Sequence, residues 1–377
     1  MKFTISEEQK QLVEEVKRFA SLSLNDSNYI NEFSHRQWKE VADFGILGLI
    51  TDEKYGGLEE SYFTAALVEE ALGYTCKNNG LIFAINNHIW VGTNLICQFG
   101  NQSIKDLYLN KMTCGEMIGA MAITEANAGS DAFAMSTKFV EMEDGYVING
   151  RKLFVSNGPI ADLFIVFAKR ENDSTNNLTA FVIDKNFVGV TVGKDIKKMG
   201  LESCPMSEIV LDKCFIPKTN VLGKLDNGNI ILSYALEVER CFEFAPHVGA
   251  MQRVMEQCID YAETRKQFGK RLGEYQGVSY KIANMRVNIE LSKLLLYKIA
   301  WMKDKGMNTY LESSIFKLFV SEKYIQTCED ALQIFGAYGY SKEYGIEQEL
   351  RDALACSIYS GTNEIQRNTI YSLARIE

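Results

Sequence analysis

The distribution of proline constrains the fold of this 377-residue chain more than any other feature. The four prolines are Pro159, Pro205, Pro217 and Pro246. Residues 247–377 therefore contain none, and since proline breaks a helix in its interior, this part of the chain can carry long helices. Apolar residues recur there at helical spacing, as in VMEQCIDYAETRKQF and LESSIFKLFVSEKYIQTCEDALQIFG. The sequence predicts a four-helix bundle over residues 225–377.

Two further regions differ from each other in their hydrophobic pattern. Residues 1–118 show helical periodicity, for example in SEEQKQLVEEVKRFASL and YFTAALVEEALGYT. Residues 119–224 have short runs of Val, Ile, Phe and Tyr with an Asp-Gly and an Asn-Gly turn, as in DGYVINGRKLFVSNG. We therefore predict an α+β, mostly α protein with an N-terminal helical domain at 1–118, an antiparallel β domain at 119–224 and the bundle at 225–377.

Composition narrows the class of protein. Hydrophobic residues make up 46% and charged residues 24%, as expected for a globular protein with a large core. No apolar run approaches the roughly 18 residues of a membrane span. The N-terminus lacks the apolar run of a signal peptide, so we expect a cytoplasmic protein. The net charge of −9 argues against nucleic acid as a partner.

Cysteine and histidine bear on redox state and metals. The nine cysteines show no CxxC spacing and are odd in number, which is typical of reduced thiols and not of a disulfide framework. The three histidines are His35, His88 and His247, and no two of them have metal-ligand spacing. We predict no metal site.

Four segments differ from ordinary core or surface. MAITEANAGSDAFAMSTK (121–138) places hydroxyls and acids around a small-residue loop, where backbone N–H groups can approach an anion or a heterocycle. The others are KLFVSNG (152–158), TRKQFGKRLGEYQGVS (264–279) and SIYSGTNEIQR (357–367). Each also has an ordinary interpretation as a loop, a half-buried strand, a solvated helix end or a turn, so none is decisive alone.

Together, and in this order, these segments resemble motifs of the acyl-CoA dehydrogenase family of flavoproteins. ITEANAGSD resembles the family's T-E-x-x-A-G-S-D, and GRKLFVSNG its G-x-K-x-[WFY]-[IV]-[ST]-N-G. TRKQFGKRL resembles R-x-x-F-G-x-x-L, and YSGTNEIQR resembles Y-E-G-T-x-x-I-Q-R. The resemblance covers essentially the whole chain.

The resemblance implies an FAD site between the β domain and the bundle. Thr124 and Ser156 are expected to hydrogen-bond the flavin ring, with Phe154 packed against it, and Ser130 to lie near the pyrophosphate or the substrate's pantetheine. Other positions are expected at the adenosine half or at the FAD of a neighbouring subunit, which implies a homodimer or homotetramer. The full set of implied FAD contacts is Met121, Thr124, Ser130, Phe154, Ser156, Arg265, Phe268, Gln276, Gln333, Gly336, Thr362 and Glu364.

The family's reaction also implies a base that removes the α-proton of an acyl thioester. In many members this base is the glutamate of Y-E-G-T, but here Ser360 stands in its place, and a serine hydroxyl cannot serve as this base at neutral pH. The isovaleryl- and long-chain-type branches place a glutamate in an E-R pair on the first helix after the β domain, which corresponds to Glu239-Arg240. We predict Glu239 as the base, with Glu243 as the next candidate and an inactive site as the third. Pro246, just beyond, could kink this helix and displace Glu239.

The resemblance implies substrate contacts from Ser130, Arg240 and Ser360. The implied activity is FAD-dependent oxidation of an acyl-CoA to its trans-2-enoyl thioester, with an electron-transfer flavoprotein as electron acceptor. The alternative is the same chemistry on an acyl or aminoacyl group, such as prolyl, tethered to a carrier protein.

Three other functions receive less support: an oxidase that uses oxygen, a DNA-associated member and a non-catalytic subunit. The net charge argues against the DNA-associated member, and the complete set of FAD motifs argues against the non-catalytic subunit. The acyl-chain length stays open. His88 and Trp90 could shorten the acyl pocket, but we favour a place for both in the core.

Overall fold

The structure, a computed structural model, describes residues 4–26, 31–172 and 177–375. These residues form helices, then a sheet, then helices, which confirms the predicted α+β class. The N-terminal helices pack around a π-helical segment, Asn87–Thr93, and are α1 (Glu7–Ser23), α2 (His35–Asp43), α3 (Tyr62–Thr75), α4 (Asn79–Asn86), α5 (Asn94–Phe99) and α6 (Gln102–Thr113).

The middle of the chain forms one sheet. Its strands are β1 (Gly119–Ala122), β2 (Lys138–Glu141), β3 (Gly145–Ser156), β4 (Leu163–Arg170), β5 (Leu178–Asp184), β6 (Val190–Val192), β7 (Met206–Pro217) and β8 (Val221–Leu222). The strand order is β6-β7-β3-β2-β4-β5-β8, with β1 beside β4. The prediction of an antiparallel domain needs one correction, because β1 and β2 both pair with β4 in parallel. The chain reverses once between β2 and β3 and again between β3 and β4, so β4 runs in the same direction as β2.

The run contains two Asn-Gly pairs, and the structure confirms a turn at one of them. Asn157-Gly158 forms the predicted turn directly after β3, with Asn157 at φ of 61°. The other pair is not a turn. Asn149 and Gly150 lie inside the continuous strand β3, at a shift in its register with β7. The side chain of Asn149 accepts a hydrogen bond from the backbone of Lys213 (2.7 Å), and a Cβ on Gly150 would lie 2.3 Å from the Thr137 hydroxyl. This glycine therefore allows close packing at a β-bulge instead of a chain reversal.

The C-terminal part is helical, with a small hairpin of β9 (Lys266–Gln267) and β10 (Lys270–Arg271). Its helices are α7 (Gly228–Phe242), α8 (Ala245–Thr264), α9 (Gln276–Asp304), α10 (Tyr310–Phe335), α11 (Ala337–Tyr340), α12 (Ile346–Leu354) and α13 (Asn363–Ala374). Pro246 does not kink a continuous helix. It lies in the first turn of α8, where its missing N–H has no helical partner to lose, and the preceding helix ends at Phe242.

Helix α3 packs closely against the start of α8. A Cβ on Gly73 would lie 1.9 Å from the Pro246 carbonyl oxygen, and one on Gly249 would lie 2.0 Å from that of Glu70. Only glycine allows this approach, which brings the acidic side chains of α3 next to the end of α7.

His88 and Trp90 lie in the core, as favoured from the sequence. Both are fully buried, and the His88 ring accepts a hydrogen bond from the Gly119 backbone (3.0 Å). Trp90 stacks on Phe242 with ring centroids 4.1 Å apart. All nine cysteines are unpaired. Within the described ranges, no helix is long and apolar enough to cross a bilayer, and no group of three or more His, Cys, Asp or Glu side chains could hold a metal ion.

Candidate active site

Glu239 lies near the end of α7, on the side of the helix that faces the turn before α13. Its side chain is half-buried, and burial raises the pKa of its carboxyl to about 7. The Ser360 hydroxyl, Arg240 and Lys317 act in the opposite direction and keep this pKa from rising further. A carboxylate that titrates near neutral pH is suited to general base catalysis. Glu237 and Glu243, on either side of Glu239 in the sequence, are buried, so this acidic stretch is not a solvated helix face.

The turn opposite Glu239 has an unusual backbone. Ser360 has φ of 58° and Gly361 has φ of 83°, so a non-glycine residue occupies the left-handed region. Arg240, which is buried, donates from Nε to the Ser360 carbonyl (3.1 Å), and Gln366 donates to the Gly361 carbonyl (2.9 Å). The bond from Arg240 ties the turn to α7, and the bond from Gln366 ties it to α13. The Ser360 hydroxyl is buried and close enough to lower the pKa of Glu239, although no hydrogen bond of ordinary geometry joins the two groups.

Lys317 is a member of this site that the sequence analysis missed. It is fully buried on α10 and donates to the Asn363 side chain (2.7 Å), which follows the turn. Burial lowers its pKa to about 8. A sequence signal existed, because Lys317 shares a helix face with Ser313, Ser321 and Tyr324, all of them buried.

The flavin-side residues predicted from the β domain lie at one end of the sheet, where strands β1 and β3 finish, and we call this end the flavin edge. Thr124 follows β1, and its carbonyl accepts a hydrogen bond from Leu153 on β3 (2.8 Å). This bond places Thr124 beside Phe154 and Ser156, which end the same strand. Met121 and Thr124 are half-buried, and Ser130 is exposed in the loop beyond.

This edge fits a flat aromatic cofactor. Phe154 has φ of 55° at an irregularity in β3 and is 58% exposed, although Val155 beside it is buried. A Cβ on Gly129 would meet no atom within 4 Å, so the Ser130 loop leaves room for a ligand to reach its backbone. An exposed ring held by a strained backbone, beside hydroxyl groups, suits the contacts of a flavin.

The remaining predicted FAD contacts are exposed to solvent or at most half-buried. Phe268, at the tip of the β9–β10 hairpin, is 94% exposed. A Cβ on Gly336, with φ of 60°, would meet no atom within 4 Å. The other members of this set are also exposed or at most half-buried: Arg265, Gln276, Gln333, Thr362 and Glu364. Within the described part of one chain, no hydrogen bond or ring contact joins these exposed residues to Thr124 or Phe154.

A second acid on α7, Glu243, was predicted only as a substitute base. It is 1% exposed, and no described residue donates a hydrogen bond to either of its carboxyl oxygens. Glu69 on α3 is also fully buried. The side chains of Asn86 and Trp90 lie close enough to lower its pKa, although no hydrogen bond of ordinary geometry reaches its carboxyl oxygens. Nothing in the sequence marks these acids as unpaired, because pairing depends on which helices meet.

Comparison with known proteins agrees with this architecture. Models of the N-terminal, middle and C-terminal domains of acyl-CoA dehydrogenases match residues 6–116, 120–214 and 226–373. The L-prolyl-[peptidyl-carrier protein] dehydrogenase of Serratia sp. is 35% identical over 98% of this chain and 97% of its own. The prolyl acyl carrier protein oxidase AnaB is 39% identical, with a TM-score of 0.95 over 98% of this chain and all of its own. The FAD complex of PigA is 34% identical, with a TM-score of 0.96 over the whole of both chains.

The fold and the site together define an FAD-dependent oxidoreductase. The chain belongs to the acyl-CoA dehydrogenase family.

Proposed function

We propose that this protein oxidises a thioester-linked acyl group between its α and β carbons, and that Glu239 removes the α-proton. The observation that carries the proposal is the position of Glu239: half-buried, with a pKa raised to about 7, opposite the Ser360 turn. A base whose pKa lies near the working pH combines a large ionised fraction with sufficient basicity.

The Ser360 turn would hold the thioester. Loss of the α-proton puts negative charge on the thioester oxygen, and a backbone N–H of the turn is the donor expected to stabilise it. Arg240 is a positioning residue in this scheme, because it bonds the Ser360 carbonyl and so fixes the direction of the turn (3.1 Å). Lys317 fixes the other side of the turn through Asn363.

Thr124, Phe154, Ser156, Met121 and Ser130 would hold the flavin of the same chain. FAD, when bound, supplies the acceptor for the hydride that leaves the β carbon. Electron-transfer flavoprotein and oxygen are the two candidate final acceptors, and the oxidase AnaB supports consideration of oxygen.

The exposed predicted contacts support a cofactor site shared between subunits. Phe268 is too exposed for a ring with a purely structural role in one chain (94%). In a homodimer or homotetramer, Arg265, Phe268, Gln276, Gln333 and Gly336 would reach the FAD of a neighbouring chain. Thr362 and Glu364 would lie at its adenosine half.

The thioester handle is either CoA or a carrier protein. The family name supports CoA, and two relatives, the Serratia dehydrogenase and AnaB, support a carrier protein loaded with a prolyl group. Both handles end in the same pantetheine arm, so residues near Glu239 meet the same chemical group in either case.

The test of the base is Glu239→Gln, assayed by anaerobic bleaching of the flavin with a panel of acyl-CoAs and prolyl-loaded carrier proteins. We expect at least about a 10²-fold loss of bleaching rate, with FAD still bound. In the wild type the rate should rise with pH through about 7, since Glu239 must be ionised, and the variant should lack this rise. Glu290→Gln, in an exposed ion pair with Arg286 on α9, is the matched control and should bleach normally. Unchanged bleaching in Glu239→Gln excludes Glu239 as the base.

A second variant tests the position of the base directly. Adding Ser360→Glu to Glu239→Gln restores a carboxylate on the opposite side of the site, where many family members carry it. Partial recovery of bleaching is expected, because catalysis depends on where the carboxylate lies and not on which element carries it. No recovery in a double variant that still binds FAD and thioester would show that this site needs its base on α7.

A further inference from the structure

Glu243 is a buried acid that the reaction proposed above does not use. It is 1% exposed and one helical turn from Glu239, so the two carboxyl groups share a face of the helix. No described residue donates a hydrogen bond to either oxygen of Glu243. Burial of an acid without a donor destabilises the folded protein.

Glu243 lines a cavity of about 10 Å³ together with Asn79, Asn86, His247, Ile82 and Phe83. This volume admits one group the size of a water molecule. It is too small for an acyl chain.

The polar neighbours in this cavity direct their donors elsewhere. The Asn79 amide donates to Glu349 and Asp352 (both 3.1 Å), and the Asn86 amide donates to the Phe242 carbonyl (3.3 Å). His247 is paired through Nε2 with the Tyr359 hydroxyl (2.6 Å). None of these side chains donates a hydrogen bond to Glu243.

The electrostatic surroundings of Glu243 are acidic. The groups that act on its carboxyl are Glu239 on the same helix and Glu69 on α3, both of which add to the effect of burial and raise its pKa well above the usual range. His247, from α8, is kept neutral by burial, which lowers its pKa to about 3. Burial raises the pKa values of Tyr359 and Cys204, and Glu243 adds to this effect. Neither side chain can supply a positive charge to Glu243.

The cavity borders the proposed thioester site. Tyr359 directly precedes Ser360, and its ring packs against Phe83 (4.8 Å between centroids) while its hydroxyl bonds His247. Two walls of the cavity are thus anchored to the turn that would hold the thioester. Glu239 and Glu243 are one helical turn apart, and the nitrogen of an aminoacyl group is bonded to the same α carbon that would face Glu239.

We propose that Glu243 binds a basic nitrogen of the acyl group, so that the substrate is an amine-bearing acyl thioester of the aminoacyl class. This inference rests on the proposed thioester oxidation and adds the chemistry of the acyl group. The nitrogen supplies the hydrogen-bond donor and positive charge that the cavity lacks. Burial and the neighbouring acids favour the protonated form of Glu243, and a bound cationic amine favours the carboxylate. Binding of the amine should therefore release the carboxyl proton to solvent.

The test compares two pantetheine thioesters that differ in one ring position: prolyl, with a basic nitrogen, and cyclopentanecarbonyl, with a CH₂ group. The wild-type holoenzyme should prefer prolyl by at least about tenfold in kcat/KM, as expected for a charge-assisted hydrogen bond. Glu243→Gln should lose at least about tenfold for prolyl and little for cyclopentanecarbonyl. Glu243→Leu should reverse the preference. An equal preference in the wild type, or a ratio that Glu243→Gln leaves unchanged, overturns the proposal.

Binding without turnover separates this inference from the proposed function. The Glu239→Gln holoenzyme should bind both thioesters, followed by perturbation of the flavin absorption band. Calorimetry in two buffers of different ionisation enthalpy should show one more proton released with prolyl than with cyclopentanecarbonyl. This difference should vanish when Glu243→Gln is added. If neither thioester bleaches the wild-type flavin, the proposed oxidation fails, whereas a missing difference in proton release refutes the role of Glu243 alone.

Discussion

Two buried acids in this protein have opposite surroundings. Glu125, beneath the flavin edge of the sheet, accepts hydrogen bonds from the backbone and hydroxyl of Ser136 (2.6 Å each) and of Thr137 (3.0 and 2.5 Å), and from Lys152 (2.9 Å). Glu243, at the end of α7, has no donor among the described residues. Burial raises the pKa of both carboxyl groups. At Glu125, Lys152 and the hydroxyl groups outweigh burial and hold the pKa well below its usual range.

The difference separates a structural acid from one that awaits a ligand. Glu125 belongs to the T-E-x-x-A-G-S-D motif, and its contacts tie the loop that carries Ser130 to strand β3. The folded chain itself supplies every partner. The charged groups near Glu243 are acids, and no described residue donates a hydrogen bond to it. Its carboxyl oxygens can therefore accept hydrogen bonds from a bound ligand.

The largest expected effect on stability comes from removing the ion pair between Lys152 and Glu125. Lys152→Met leaves Glu125 charged, buried and without its cation, and should lower the free energy of unfolding by about 3–5 kcal/mol. Urea unfolding with FAD bound measures it. The double variant Lys152→Met, Glu125→Gln should recover part of the loss, and Glu243→Gln should lose none. If Glu243→Gln destabilises as much as Lys152→Met, the contrast between the sites is wrong.

The pH dependence of stability should have opposite signs at the two sites. Glu69, the acidic neighbour of Glu243, has its pKa raised by burial from 4.5 to about 8. The folded protein keeps the Glu69 proton more strongly than the unfolded chain does. The contribution of Glu69 to the free energy of unfolding is therefore full below about pH 4.5 and is lost as the pH rises toward 8, by up to about 1.4 kcal/mol per pH unit. Glu125, with a lowered pKa, contributes above 4.5 and loses that contribution as the pH falls.

Each variant should therefore flatten a different part of the stability profile. Glu69→Gln should flatten the fall between pH 4.5 and 8, and Glu125→Gln should flatten the fall on the acid side. Denaturant midpoints at several pH values measure both. A Glu69→Gln profile with the slope of the wild type would show that Glu69 is ionised in the folded protein.

The smallest expected effect is at Ser360, which neither buried site involves. Ser360→Gly removes the cost of a left-handed serine but adds freedom to the unfolded chain, so stability should rise by about 0.5–1 kcal/mol. Ser360→Ala keeps the backbone strain and removes the hydroxyl, which isolates the side chain. Because that hydroxyl lowers the pKa of Glu239, Ser360→Ala should move the pH dependence of bleaching upward. Equal stability of the two variants would mean that the backbone at 360 is not strained.

Sequence patterns were reliable where a local rule decides the structure. Proline placement and periodicity predicted the order of helices, sheet and helices. The choice of Glu239 as the base, made from the E-R pair, stays a prediction. Of the two Asn-Gly pairs, Asn157-Gly158 forms the predicted turn, whereas Asn149-Gly150 lies at a bulge in β3. The same dipeptide suits both structures, and only the packing of Thr137 against Gly150 decides between them. The parallel pairing of β1 with β4 was likewise missed, since it depends on how the hairpin between them folds back.

The sequence by itself determined the class of fold, the motifs of an FAD-dependent oxidoreductase and the replacement of a late glutamate by Ser360, because these depend on residue type and spacing along the chain. Only the tertiary structure decided which buried acids are satisfied. Lys152 on β3 reaches Glu125 in the loop after β1, whereas the approach of α3 to α8 brings Glu69 toward Glu243 without a cation. A hydrogen bond depends on distances of a few ångströms between distant parts of the chain, and spacing along the sequence does not specify them.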